Sequence, residues 1–337
     1  MKGIKKILSL GLLLVFSFSM VSCGGSKENT LEGTVVVTSK YPDEVNSYIA
    51  EEFKKETGIS VKYEVKDEKK EEDFKNSNTD IILGGDNELY KKMASDNILK
   101  GYKTSWYSDV DDNYRDKDGY WSGISIVPVG FMVNNELLKE KKLPAPKVWE
   151  DLANTQYKDE IMMANPAISG TNYAMVDGLI QGMGEEKAWQ YFKGLNENIP
   201  FFAKRGGEPP KKVASGEFAV AVIPMSGEFI AMEEKYPITT IYPEDMIPWV
   251  PAGMAIFKNA ENLDEAKAFV DWALSKKGQE FIKSQDPRMM VRSDIEIPKS
   301  VKNINKDKLI KLNIDTLGAD REKVLKKWND QFGNKAQ

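Results

Sequence analysis

The 337-residue sequence contains no histidine and only one cysteine, Cys23. The lack of histidine excludes a Ser-His-Asp triad, a Cys-His pair and any histidine-bearing zinc site. The lone cysteine excludes an internal disulfide, so the folded part must be held by an ordinary hydrophobic core. The sequence offers no other nucleophile with a positioned base. It therefore predicts a protein without enzymatic activity and without a cofactor.

The chain has no excess of positive charge, and its net charge becomes more negative once the N-terminal lysines are set aside. The chain has 47 Lys and Arg against 52 Asp and Glu, and three of the basic residues are Lys2, Lys5 and Lys6. Without those three, the formal charge is 44 minus 52, or −8. Nucleic-acid binding depends on concentrated positive charge, so nucleic acid is not expected as a partner.

The first residues have the pattern of a targeting segment. The three lysines precede an apolar run over residues 7–20 that is too short to span a membrane comfortably. Met20-Val21-Ser22-Cys23 then resembles the lipobox of bacterial lipoproteins, with Met20 where leucine is usual. We expect a signal peptide over 1–22, lipid on Cys23 and a polar tether over 23–30. The protein would be anchored on the extracytoplasmic face of a bacterial membrane, in the periplasm if there are two membranes. The alternative is a plain secretory signal with an incidental cysteine.

The residues after Thr34 predict a strand, a helix and a second strand. Val35-Val36-Val37 is a β-branched run typical of a strand that is covered on both faces. Apolar residues then recur at helical spacing up to Phe53, and Gly58 stands where a helix end favours a residue with positive φ. Residues 59–65 alternate between apolar and polar, as in a strand. Together they form a βαβ unit.

Two extended segments are candidates for crossings between two lobes. Residues 123–134 form an apolar stretch that is longer than a compact strand requires, and residues 242–249 contain stiffening prolines. The length of the chain also suits two lobes. We therefore expect lobe 1 to comprise 31–127 and 250–337, and lobe 2 to comprise 128–249.

Six motifs occur in a specific order and spacing. They are Ile81-Ile82-Leu83-Gly84-Gly85, Val129-Gly130-Phe131-Met132-Val133-Asn134, Pro144-Ala145-Pro146-Lys147-Val148-Trp149-Glu150-Asp151-Leu152, Asn165-Pro166-Ala167-Ile168-Ser169-Gly170-Thr171, Lys212-Val213-Ala214-Ser215-Gly216-Glu217 and Tyr242-Pro243-Glu244-Asp245. From residue 34 to about 293 the chain thereby resembles the substrate-binding proteins of ABC importers, in the group with ferric-ion-, phosphonate- and sugar-phosphate-binding members. The resemblance implies an α/β, two-lobed periplasmic-binding-protein (type II) clamshell with a hinge of two extended crossings. It also implies a monomer with ligand between the lobes, and an ABC permease with its ATPase as partners.

Ser169-Gly170-Thr171, at the start of a predicted amphipathic helix, is the candidate site with the clearest chemistry. A helix N-terminus presents unpaired N–H groups and a partial positive charge, to which two hydroxyls can add donors for an anion. The alternative is that Ser169 simply caps the helix.

Further candidate ligand contacts are distributed along the chain. Lys204 and Arg205 precede two glycines and could clamp an oxyanion, although a solvated turn is equally compatible. The other candidates are Thr38, Ser39 and Lys40 at the end of the first strand, Gly84 and Gly85 at the end of another, and Ser226 and Glu244. Glu244 resembles the family's ligand-facing acidic position. The family's sugar-contacting acidic and histidine residues are absent around Ser226.

Ferric iron is the alternative ligand, because related proteins bind it through two neighbouring tyrosines. The sequence has no Tyr-Tyr pair, so Tyr173, Tyr242 and Glu244 would have to assemble differently. A glycosidase would need two carboxylates about 5–9 Å apart, and nothing fixes a second pair opposite Glu244 and Asp245. A lipoprotein that senses its ligand and signals to a membrane receptor also stays open.

Overall fold

The computed structural model describes residues 33–64, 78–85, 87–301, 304–313 and 320–335. The predicted leader, Cys23 and the tether lie outside these residues. Among the helices that the structure describes, none is long and apolar enough to cross a membrane.

Strands and helices alternate along most of the chain. The strands are β1 (Thr34–Ser39), β2 (Ser60–Glu64), β3 (Ile81–Leu83), β4 (Leu99–Lys100), β5 (Ser122–Asn134), β6 (Ile161–Met162), β7 (Val220–Pro224), β8 (Ile238–Ile241), β9 (Trp249–Phe257) and β10 (Met289–Met290). The helices are α1 (Asp43–Thr57), α2 (Asn87–Ser95), α3 (Asn135–Lys141), α4 (Gly170–Met183), α5 (Glu185–Asn198), α6 (Glu208–Ala214), α7 (Gly227–Ala231), α8 (Leu263–Leu274), α9 (Lys276–Gln285) and α10 (Arg321–Phe332). This confirms the α/β class.

The strands form two sheets that share β5. Its first part, up to Pro128, pairs with β9 in a sheet that also holds β1, β2, β3, β4 and β10. Its second part, from Val129, pairs with β7 and β8, and β6 extends that sheet. We call the part around the first sheet lobe 1 and the part around the second lobe 2. All thirteen residues of β5 are buried, as expected of a strand that runs through the middle of both lobes.

The βαβ unit forms as the local sequence predicts. β1 pairs in parallel with β2 and β3, and Val35 and Val37 are completely buried. Helix α1 ends at Gly58, which has a φ of 83° and donates its N–H to the carbonyl of Lys54. Glycine adopts this left-handed conformation without steric cost.

The C-terminal segment returns to lobe 2. The backbone of Ile247 pairs with that of Ile310, whose carbonyl also accepts the indole N–H of Trp249 at 2.7 Å. On α10, Trp328 packs edge-on against Phe192 of α5, with ring centroids 5.5 Å apart. The expected division placed 250–337 in lobe 1, whereas the core of lobe 2 includes Ile304, Ile310, Leu312, Val324, Trp328 and Phe332. The other lobe boundaries stay predictions.

A small apolar cluster lies where the two sheets meet. It consists of Val127 of β5, Ala174 of α4, and Val250 and Ala252 of β9. These contacts hold the first turns of α4 against the point where the chain passes between the sheets. The N-terminus of α4 is thereby fixed at the cleft.

Candidate functional site

A cavity of about 220 Å³ lies in the cleft between the lobes. It is lined by Gly85, Val127, Gly170, Thr171, Val250, Pro251, Ala252 and Arg288. Lobe 1 contributes Gly85, the β9 residues and Arg288, while lobe 2 contributes the start of α4. Val127, Val250, Pro251 and Ala252 form an apolar part of the wall, and Arg288 brings its charged group.

A larger cavity, of about 530 Å³, lies elsewhere, between the loop that precedes β5 and residues 312–313. Its wall mixes lysines and arginine with Asp112 and Asp116, and it contains none of the residues that the sequence predicts as ligand contacts. The smaller cavity therefore fits the predicted site better.

The start of α4 combines a capping serine with residues that line the cavity. Ser169 caps the helix, because its hydroxyl accepts from the backbone N–H of Asn172 at 3.3 Å and from its side-chain amide at 3.0 Å. Gly170 and Thr171 follow and line the cavity. The first N–H groups of a helix have no acceptor within it, so this end of α4 presents donors and positive potential.

The two glycines after β3 allow close approach of the backbone. Gly84 and Gly85 have φ values of 84° and 99°, a region that side chains other than glycine rarely adopt. A Cβ on Gly84 would lie 3.1 Å from Cβ of Lys40, and one on Gly85 would lie 3.8 Å from Cε of Lys40. The side chain of Lys40 thus passes beside Gly85, at the edge of the cavity.

The loop that holds Lys204 and Arg205 lies next to the start of α4. Ala203 pairs with Ala164, and a Cβ on Gly206 would lie 3.6 Å from the hydroxyl oxygen of Ser169. The side chains of Lys204 and Arg205 are exposed and do not line the cavity. Their contact with ligand stays a prediction.

Three other candidates are engaged away from the cavity. The hydroxyl of Thr38 is buried 3.1 Å from that of Thr79, and Ser39 donates to Asn46 at 2.7 Å. The Glu244 carboxylate is 65% exposed and lies 3.9 Å from the Lys147 ammonium. Each is directed to local partners or to solvent, and their contact with ligand stays a prediction.

The residues considered for ferric iron do not meet in the cavity either. The Tyr173 ring lies 4.6 Å from the Arg321 guanidinium, and neither Tyr173, Tyr242 nor Glu244 lines the cavity wall. Burial raises the pKa of Tyr242, which opposes formation of the phenolate that would bind the metal. Within the described ranges, no group of three or more Asp, Glu or Cys side chains could hold a metal ion.

Arg288 is the charged residue of the cavity wall, and the sequence interpretation missed it. Its guanidinium lies 5.0 Å from the centre of the Tyr41 ring, and its Nε lies 2.6 Å from Oδ2 of Asp286. Burial raises the pKa of Tyr41, and the charge of Arg288 opposes that rise. One signal could have pointed to it: only five of the 47 basic residues are arginine.

Three hydroxyls near this arginine are buried without a hydrogen bond of normal geometry to any described residue. They belong to Tyr41, Ser125 and Ser226, although those of Tyr41 and Ser125 lie close enough to interact with one another. Ser125 is paired through β5 with Met290, two residues beyond Arg288, and Ser226 precedes α7, which touches Pro287. Buried polar groups normally have partners, so these hydroxyls are suited to ligand or ordered water. Ser226 was predicted, while Tyr41 and Ser125 were not.

Comparison with known proteins gives consistent matches over most of the chain. The family model described as bacterial extracellular solute-binding protein matches residues 76–312. An uncharacterized protein of Haemophilus influenzae is 29% identical over 269 residues, covering 77% of this chain and 78% of its own. The Fe(3+)-binding periplasmic protein of Serratia marcescens is 24% identical over 336 residues, with coverages of 91% and 97%.

Among solved structures, the periplasmic binding protein AfuA of Actinobacillus pleuropneumoniae, with fructose-6-phosphate bound, superposes with a TM-score of 0.79. It is 27% identical, and the alignment covers 90% of this chain and 99% of AfuA.

Proposed function

Because the chain belongs to the bacterial extracellular solute-binding protein family, we propose that it is the substrate-binding protein of an ABC importer. Its ligand is a small anion of the phosphate, phosphonate or sugar-phosphate type, bound between the two lobes. The observation that carries this proposal is the cavity that Arg288 of lobe 1 shares with the N-terminus of α4 in lobe 2.

Two kinds of positive potential meet in this cavity. A helix N-terminus stabilises an anion by about 0.3–2 kcal/mol, and a hydrogen bond to a charged group contributes about 1.5–3 kcal/mol. The guanidinium can also present two parallel donors to one phosphate. Val127, Val250, Pro251 and Ala252 form an apolar side of the cavity, and polar interactions beside apolar surface are stronger than in bulk water. The volume of about 220 Å³ favours a small ligand.

Similarity to AfuA supports the phosphorylated class, since that protein binds fructose-6-phosphate. Ferric iron is the second candidate, and similarity to the Serratia protein is what favours it. Iron would require a ligand set other than Tyr173, Tyr242 and Glu244, which lie away from the cavity. A ligand-sensing lipoprotein would use the same cleft but would signal to a receptor in place of a permease.

The finer features of the proposal come from the sequence. Lipid on Cys23 anchors the protein outside the cytoplasmic membrane. The protein acts there as a monomer without catalytic activity, and an ABC permease with its ATPase receives the ligand.

The proposal is tested by native mass spectrometry of the purified protein, which should reveal a co-purified phosphorylated compound. A thermal-shift screen complements it, with phosphate, 2-aminoethylphosphonate and fructose-6-phosphate compared with ferric citrate. Ligand at 100 times its dissociation constant stabilises the native state by about 2.7 kcal/mol, which is easily measured. A visible phenolate-to-iron band with ferric salt, combined with no shift from any phosphorylated compound, would favour the iron alternative.

A further inference from the structure

The connection between α9 and β10 is only three residues long, Asp286-Pro287-Arg288, and we call it the 286–288 strap. The N–H of Asp286 donates to the carbonyl of Ile282, which ties the strap to the end of α9. At its other end β10 pairs with β5. Pro287 fixes its own φ and restricts Asp286 to extended geometry, consistent with the observed φ of −135° and ψ of 91°. The backbone that carries Asp286 and Arg288 is therefore stiff.

Lobe 2 also touches the strap. A Cβ on Gly227, the first residue of α7, would lie 3.1 Å from Cδ of Pro287 and 3.4 Å from Oδ1 of Asp286. The absence of a side chain at Gly227 lets the strap lie directly against α7. Asp286 is consequently held between the lobes and is only 8% exposed.

The two charged side chains of the strap pair with one another. Asp286 Oδ2 lies 2.6 Å from Arg288 Nε, and both atoms are buried. The contact is an ion pair without hydrogen-bond geometry, and neither atom has a hydrogen bond to another described group. The Tyr41 ring, 5.0 Å from the guanidinium, supports one side of it. The closest contact of the ion pair is made by Nε, and within the described chain the two terminal amino groups have no hydrogen bond, so they are available to the cavity that Arg288 lines.

We propose that Asp286 is a positioning residue, which holds the Arg288 guanidinium in the orientation that receives the anion. This rests on the proposed anion-binding function and adds to it a residue that does not itself touch the ligand. Two effects of Asp286 on anion binding have opposite signs. Its negative charge repels an anion, so Coulomb's law alone predicts tighter binding when the charge is removed. Loss of positioning predicts weaker binding, because the long arginine side chain must then be ordered by the ligand itself.

The test compares the affinity for fructose-6-phosphate of wild type, Asp286→Asn, Arg288→Gln and the double variant, by isothermal titration calorimetry. Asp286→Asn should weaken binding by about three- to tenfold, the cost of ordering one long side chain. In the Arg288→Gln background the same change should have almost no effect, because no guanidinium is left to position. Tighter or unchanged binding by Asp286→Asn, or an equal loss in both backgrounds, overturns the proposal.

The chain provides a matched control. Asp294 also pairs with an arginine two positions away, since its Oδ1 lies 2.9 Å from Arg292 Nε, but neither residue lines the cavity. Asp294→Asn should leave the affinity for fructose-6-phosphate within twofold of wild type. A loss equal to that of Asp286→Asn would make the effect a general one of Asp–Arg pairs and would refute a positioning role.

A second readout does not depend on the ligand. The five arginines give five Nε–H resonances in a ¹⁵N-labelled sample, and Arg288→Gln identifies the one of interest. In wild type this resonance should be displaced from the position of a solvent-exposed arginine, and in Asp286→Asn it should return there. If wild type binds no phosphorylated compound, the proposed function fails, while this resonance still decides whether Asp286 holds Arg288. A resonance that does not respond to Asp286→Asn overturns the positioning role in either case.

Discussion

Arg288→Gln should strongly reduce anion affinity. It removes the charged group that lines the cavity and leaves a shorter, uncharged polar side chain. Hydrogen bonds to charged groups contribute about 1.5–3 kcal/mol, so the dissociation constant for a phosphorylated ligand should rise about ten- to hundredfold. Isothermal titration calorimetry in phosphate-free buffer measures this directly.

The same substitution also affects stability, and the two effects have to be separated. Without Arg288 the Asp286 carboxylate is buried and unpaired. Breaking a fully buried ion pair costs about 3–5 kcal/mol, and the 18% exposure of the Arg288 side chain reduces the expected loss to about 1–3 kcal/mol. The double variant Arg288→Gln, Asp286→Asn has neither charge, so it should recover most of the stability in urea unfolding but none of the affinity.

Arg205→Gln is the contrasting variant. The sequence predicts Arg205 as a ligand contact, whereas in the structure its side chain is exposed and does not line the cavity. Its substitution should change the affinity by less than about threefold, typical of an exposed charge near a site. A tenfold loss with Arg205→Gln, together with near-normal binding by Arg288→Gln, would refute the assignment of the cavity as the anion site.

The parts of the fold that could be predicted are those specified by neighbouring residues. The β-branched run of β1 and the left-handed glycine at the end of α1 are local signals, and both are in place. The C-terminal segment was assigned to the wrong lobe because helical periodicity shows that a helix has an apolar face and not which core receives it. The contact between Trp328 and Phe192 joins residues far apart in sequence, and no local pattern encodes it.

The same distinction applies to the candidate site. Gly170 and Thr171 could be proposed from sequence, because the donors at a helix start depend on that helix alone. Arg288 lies in the 286–288 strap, which has no periodic pattern. Its place in the cavity wall depends on residues that are distant in sequence. Thr38 and Ser39 illustrate the same dependence on distant residues. Hydroxyls at strand ends are attractive ligand donors, but whether they are free depends on partners such as Thr79, which only the fold supplies.

Three further variants test the anchor, the start of α4 and a buried carboxyl. Cys23→Ala should abolish metabolic labelling with a lipid precursor, and unchanged labelling would defeat the lipoprotein proposal. Thr171→Ala should weaken binding of a phosphorylated ligand by about ten- to hundredfold. Ser169→Ala should mainly remove the helix cap and cost about 1 kcal/mol of stability. Equal losses of affinity in the two variants would contradict this division of roles. Asp177, which is 6% exposed in α4, has its pKa raised by burial, with Gln181 donating to it at 2.7 Å. A carboxyl whose pKa is raised in the folded state contributes stability below its unfolded pKa of about 3.9, and this contribution is lost as the pH rises through the folded pKa. Asp177→Asn carries no charge to bury, so the variant should gain most stability relative to wild type at pH 7. This gain in the free energy of unfolding should decline toward pH 4. A relative stability that instead increases on acidification would mean that the folded protein favours the ionised carboxylate, and that the nearby charge of Lys91 outweighs desolvation.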